Sequence, residues 1–62
     1  MDTEITMDSV IAWALHNAPT GDSFEAVEAM MDCYHRADAE DRAYYEREGF
    51  SRLYRDAMAA RA

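Results

Sequence analysis

Apolar positions recur every three or four residues from Met7 to Leu15, which is the spacing of one face of an α-helix. The members of this stripe are Met7, Val10, Ile11, Ala14 and Leu15. Thr6 is a good N-cap residue, and Pro19 and Gly21 interrupt the periodicity that follows. The pattern therefore predicts a first helix over residues 7–17.

A second apolar stripe lies between residues 23 and 37. It consists of Phe24, Val27, Met31 and Tyr34, and is widened by Met30 and Ala37. Asp22 and Glu25 have the spacing of a capping box, in which each side chain accepts a hydrogen bond from a free backbone N–H at the helix start. We predict a second helix over residues 23–37.

The last third of the chain contains one further helix start and one glycine. Asp38 with Asp41 forms another acidic helix start, which predicts a third helix over residues 39–48. Gly49 is suited to ending that helix, and a fourth helix would then cover residues 51–60. Because the apolar phase also continues through Gly49, the alternative is one long helix. The predicted fold is all-α: a small three- to four-helix bundle, with residues 1–62 as a single domain.

The length of the chain limits the size of its core. A domain of 62 residues buries only about 60% of the surface that its unfolded chain exposes. Twelve of the 31 apolar residues are alanines, so large core side chains are few. We therefore expect a partner to complete the core, in a homodimer or an obligate complex.

Charge is distributed unevenly along the sequence. The net charge is −7, and residues 1–35 contain seven acidic residues and no lysine or arginine. Residues 36–62 contain six acidic residues and six arginines. Direct nucleic-acid binding needs basic side chains that neutralise phosphates, so this composition argues against it.

The sequence also indicates the cellular compartment of the protein. The apolar run at residues 9–15 is too short to span a bilayer, and no basic n-region of a signal peptide precedes it. The single cysteine, Cys33, has no partner for an intrachain disulfide, as is usual in a reducing interior. We expect a cytoplasmic protein of a bacterial host cell without membrane contact. Absent lysine and abundant alanine and arginine hint at a GC-rich bacterial or phage genome.

Three carboxylates fall on one face of the predicted second helix. Glu25, Glu28 and Asp32 have i, i+3 and i+7 spacing, and we expect no basic residue within a turn to offset them. One interpretation is a binding surface for a basic groove that normally holds nucleic-acid phosphates. The other is a solvated helix face that keeps a small protein soluble. Asp8, from the first helix, is a candidate extension of this surface.

Aromatic residues are the other candidates for partner binding. Tyr44 and Tyr45 point about 100° apart on a helix, so we expect one in the core and the other half-exposed. Trp13 lies off the centre of its stripe, as either a core edge or an interface anchor.

Catalytic and metal-binding signatures are weak. Cys33 and His35 face different sides of a helix, and His16 would have to approach from another helix with no obvious fourth ligand. Paired carboxylates are plentiful, but a chain this small rarely encloses the pocket that acid–base catalysis needs. We predict no enzymatic activity, no metal and no cofactor.

Several positions between residues 20 and 53 carry a family resemblance: the segment TGDSFEAV, then Tyr34, Asp38, Glu40, the pair YY at 44 and 45, and Arg52 with Leu53. In these positions the chain resembles the Hha/YmoA family of small helical modulators. Members of that family bind a nucleoid-associated DNA-silencing protein and are not enzymes. The resemblance covers residues 6–55 and implies a helical protein-binding module. The chain differs from the family in its acidic first half and at residues 49–51, where that family has an uninterrupted polar helix.

Two functional hypotheses follow. The first is a non-catalytic acidic module that inhibits or modulates a nucleic-acid-handling protein through a basic surface of that partner. In a phage or mobile element, an anti-CRISPR inhibitor that occupies the nucleic-acid path of a Cascade-type complex would be one instance. The alternative is an Hha-like regulatory or structural homo-oligomer, whose apolar surface would contain Trp13, Met30, Tyr44 or Phe50.

Overall fold

Four α-helices form the protein in a computed structural model that describes residues 4–18 and 21–61. The helices are α1 (Met7–Asn17), α2 (Ser23–Arg36), α3 (Ala39–Glu48) and α4 (Phe50–Arg61). α2 is central, since it packs against both α1 and α4, and α3 packs against α4. The predicted all-α bundle is confirmed, with helix bounds within one residue of those expected. Pro19, the expected stop after α1, lies outside the described residues.

Capping differs between the first two helices. The Thr6 side chain accepts a hydrogen bond from the Ser9 N–H at 3.1 Å, and Ser9 Oγ accepts one from the Thr6 N–H at 2.8 Å. This box confirms Thr6 as the N-cap. The predicted box of Asp22 and Glu25 is wrong, because the Asp22 side chain makes no capping hydrogen bond. With ψ at 4°, Asp22 lacks the extended backbone from which an N-cap side chain reaches back to the helix.

Hydrogen bonds of the Asp38 and Arg42 side chains stabilise the junction between α2 and α3. Asp38 Oδ1 accepts a 2.8 Å hydrogen bond from the Asp41 N–H, as its predicted role as a helix start requires. Arg42 donates to the backbone carbonyl oxygens of Tyr34 at 3.3 Å and His35 at 3.1 Å. A side chain of α3 thus satisfies the His35 carbonyl at the end of α2 and adds a second donor to the Tyr34 carbonyl, which also accepts from the Ala37 N–H.

Gly49 separates α3 from α4. Its φ of 98° and ψ of −178° lie in a region that is essentially restricted to glycine. The Gly49 N–H donates to the Tyr45 carbonyl at 2.8 Å, and the Gly49 carbonyl accepts from the Leu53 N–H at 3.4 Å. One residue therefore ends α3 and begins α4, which confirms the predicted break.

Met30 of α2 lies at the centre of the core. It is fully buried, as are Val10 of α1 and Leu53 of α4. Ala26 and Ala29 are buried beside it, and their small side chains allow neighbouring helices to approach closely. Phe24, a member of the apolar stripe of α2, is 82% exposed and does not belong to the core. The buried arc of α2 faces two helices and is centred on Met30, which leaves Phe24 at its outer edge.

Candidate protein-binding surface

A groove between α1 and α2 exposes large apolar side chains. Met7 is 52% exposed, Leu15 68% and Phe24 82%, and Ile11 lies beside them at 38%. The groove has a volume of about 390 Å³. Its lining residues are Met7, Ile11, Leu15, Ser23, Phe24, Val27 and Glu28. All the large apolar residues that are exposed among residues 4–18 and 21–61 line this one groove.

The groove exists because the apolar stripe of α1 is wider than the contact that covers it. Val10 and Ala14 are fully buried. Successive helical residues are rotated by about 100°, so Leu15 points well away from its neighbour Ala14. Met7 and Ile11 lie on the same exposed side of the helix. Two of the five members of the predicted apolar stripe are therefore core, and the other three line the groove.

One carboxylate lines the groove, and further exposed carboxylates lie on the same two helices. Glu28 of α2 is one of its lining residues, and Glu25 and Asp32 are exposed farther around the same helix. We call Glu25, Glu28 and Asp32 the acidic ridge. Asp8 of α1 is exposed and, seven residues before Leu15, projects within about 20° of it around the helix axis. Exposed acidic and exposed apolar side chains thus lie on the same two helices.

Two members of the acidic ridge have arginine partners. Asp32 Oδ2 lies 3.5 Å from Arg36 Nη1, and Glu28 Oε1 lies 3.5 Å from Arg61 Nη2. The expectation that no basic residue offsets the ridge is therefore wrong. Arg36 is only four residues beyond Asp32, whereas Arg61 approaches through the packing of α4 on α2. Since the carboxylates of both pairs are more than half exposed, each pair contributes about 0–1 kcal/mol and can exchange with a partner's arginine.

Tyr45 belongs to the core and not to the groove. It is 9% exposed, whereas Tyr44 is half-buried, as the sequence predicted for this pair. The Tyr45 hydroxyl donates to Asp56 Oδ2 at 2.9 Å and accepts from the Cys33 thiol at 3.8 Å. Burial, followed by these two hydrogen bonds, raises the pKa of Tyr45 well above its usual value near 10.

Tyr44 and Trp13 also lie outside the groove. The Tyr44 ring contacts the guanidinium groups of Arg47 at 5.8 Å and Arg52 at 5.7 Å. Trp13 is half-buried, and its ring centroid lies 5.5 Å from that of Tyr54 and 6.1 Å from that of Phe50. These aromatic residues link helices within the bundle and are not brought together with the acidic ridge.

In residues 4–18 and 21–61, no group of three His, Cys, Asp or Glu side chains is arranged to hold a metal ion. Nor does that part of the chain contain a helix with the length and apolarity needed to cross a bilayer.

Comparison of the chain with protein-family models, with curated proteins and with solved structures found no match.

Proposed function

We propose that this protein is a non-catalytic binding module that inhibits or modulates a nucleic-acid-handling protein. The observation that carries the proposal is the combination of one apolar groove with the exposed carboxylates of Asp8, Glu28 and the rest of the acidic ridge. Protein interfaces join buried apolar anchors to a polar rim in the same way.

The charge of the surface defines the kind of partner. α1 contains no lysine or arginine, and Arg36 at the end of α2 is the first lysine or arginine of the chain. Carboxylates make strong, charge-assisted hydrogen bonds with arginine. A protein surface that binds nucleic-acid phosphates presents arginine and lysine, so it is complementary to the acidic ridge.

The test is affinity purification from a bacterial lysate with the tagged protein and a charge-reversed variant. In the ridge variant, Glu25, Glu28 and Asp32 are each replaced by arginine. We expect the wild type to retain a nucleic-acid-binding protein that the ridge variant does not retain. Added duplex DNA or RNA should elute that protein, because it competes for the same basic surface.

A second charge-reversed variant controls for net charge. The α3 variant replaces Glu40, Glu46 and Glu48 of α3 by arginine and changes the net charge by the same amount. It should retain the partner, and circular dichroism should show that both variants keep their helices. Equal loss in the two variants, or a partner that nucleic acid does not displace, would contradict the proposal.

A separate assay tests whether the partner is a Cascade-type CRISPR complex. A Cascade-type complex that binds its target DNA is titrated with the wild-type protein and with the ridge variant. Inhibition of DNA binding by the wild type alone would identify this partner, whereas unchanged DNA binding would exclude that complex as the target.

A homo-oligomer is the second candidate, because Leu15 and Phe24 are large apolar side chains that are 68% and 82% exposed. Of the surface named for it from the sequence, Met30 is fully buried, whereas Trp13 and Phe50 are half-buried and pack on each other. Sedimentation velocity at several concentrations distinguishes the candidates. A dimer that persists at high salt would favour the Hha-like alternative.

A further inference from the structure

We infer that the α1–α2 groove binds one amphipathic helix of the partner, with an apolar stripe of about two turns flanked by arginine or lysine. This inference rests on the proposed function, because it names the part of the partner that this surface recognises. The groove is lined by Met7, Ile11 and Leu15 on one side and by Phe24, Val27 and Glu28 on the other.

The spacing of the α1 side chains sets the length of the bound element. Met7, Ile11 and Leu15 are four residues apart on one helix. With a rise of 1.5 Å per residue, they cover about 12 Å along the axis, which equals the rise from i to i+8 in a partner helix. Apolar anchors at i, i+4 and i+7 of that helix would therefore match the groove.

The carboxylates at the groove determine the charge of the bound helix. Glu28 lines the α2 edge. Asp8 is exposed on α1 and points within about 20° of Leu15 around the helix axis, about 10 Å from it along the axis. Glu28 is paired with Arg61 across an exposed 3.5 Å contact, which a partner's arginine can replace without uncovering a buried charge. A helix with basic residues on both sides of its apolar stripe is thus complementary to both carboxylates.

A second copy of this chain fits the groove less well. A stable symmetric dimer buries roughly 20–30 residues on each side, whereas seven residues line the groove. A two-fold dimer through this face would also bring together the carboxylates of Asp8 and Glu28 from both copies. Both the small area and the repulsion between like charges favour a short basic helix from a different protein.

The test uses a labelled synthetic peptide of about 18 residues, with leucine at i, i+4 and i+7 and arginine at the flanking positions. Fluorescence anisotropy measures its binding to the full chain. Because Phe24 is 82% exposed, Phe24→Ser should leave the fold intact while weakening the peptide about tenfold or more. Leu15→Ser should act in the same direction.

Matched variants separate the groove from general effects. Phe24→Leu keeps an apolar side chain and should retain binding, and Ala59→Ser, at an exposed position on α4, should bind as the wild type does. A peptide with glutamate in place of every arginine should not bind. Equal binding of the two peptides, or wild-type affinity in Phe24→Ser, would overturn the inference.

Two further results separate this inference from the proposed function. The partner captured from lysate could be lost in the ridge variant but retained by Phe24→Ser and Leu15→Ser. In that case the proposed function stands, and the inference that a partner helix binds in the groove is wrong. A concentration-dependent dimer that Phe24→Ser abolishes would also overturn the inference, because it would show a second copy in the groove.

Discussion

The hydroxyl of Tyr45 donates a 2.9 Å hydrogen bond to Oδ2 of Asp56, and this bond joins α3 to α4. The other carboxylate oxygen of Asp56 lies 3.6 Å from the Arg52 side chain. One buried phenol thereby orients a carboxylate that also holds an arginine of α4. Since α3 packs chiefly on α4, this contact is central to how the third helix is held.

Replacing Tyr45 by phenylalanine should lower the free energy of unfolding by about 1 kcal/mol, because one largely buried hydrogen bond is lost. In a domain of this size, that change lowers the melting temperature by about 4–8 °C. Thermal melts followed by circular dichroism measure it. Tyr44→Phe is the matched control, since the Tyr44 ring contacts with Arg47 and Arg52 remain. An equal shift in the two variants would show that the Tyr45 hydroxyl adds nothing.

Alkaline pH should destabilise the protein through Tyr45. Its pKa is raised in the folded state, so above about pH 10 the unfolded chain loses this proton first. The stability is fully present below pH 10 and falls as the pH rises toward the folded-state pKa. Urea unfolding between about pH 8 and 11 should show a decline that is weaker in Tyr45→Phe. The same pH dependence in both proteins would rule Tyr45 out as its source.

Gly49→Ala should destabilise the fold by about 1–3 kcal/mol, because φ near 98° is unfavourable for any residue with a Cβ atom. Urea denaturation measures the loss. Ser51→Ala, at an exposed position two residues later, should change stability by at most about 0.5 kcal/mol. A more stable and more helical Gly49→Ala protein would instead indicate that α3 and α4 can merge into one helix.

Arg61→Gln tests whether the acidic ridge is partly masked in the free protein. The pair of Arg61 with Glu28 is solvent-exposed, so its loss should change stability by less than about 1 kcal/mol. Affinity for the basic partner should rise, because Glu28 is released for binding. Calorimetric titration with the purified partner measures the change. Weaker binding would mean that Arg61 itself contacts the partner.

The sequence was sufficient for most of the secondary structure. Periodicity located all four helices, and Thr6, Asp38 and Gly49 marked helix ends through local chemistry that does not depend on packing. The predicted capping hydrogen bond of Asp22 is absent, because a correctly spaced side chain also needs an extended backbone. That backbone angle depends on how the α1–α2 connection is built, which residue spacing does not specify.

The candidate surface was less predictable. Apolar periodicity shows that Leu15 and Phe24 lie near a hydrophobic face but not whether a neighbouring helix covers them. Coverage depends on how far α1 is rotated against α2, which is a property of tertiary packing. The pair of Glu28 with Arg61 spans 33 positions and depends on packing in the same way. The Arg36 partner of Asp32, at i+4, could have been recognised from the sequence.

The central claim, recognition of a basic partner by the acidic surface, is tested most directly by partner affinity as a function of salt. The wild type, the ridge variant and the α3 variant are compared between about 50 and 500 mM NaCl, where screening of exposed charges increases strongly. We predict that wild-type and α3-variant affinities fall steeply with salt, while the ridge variant binds weakly even at low salt. If partner affinity depends on salt concentration in the same way for the ridge variant and the α3 variant, the account is contradicted.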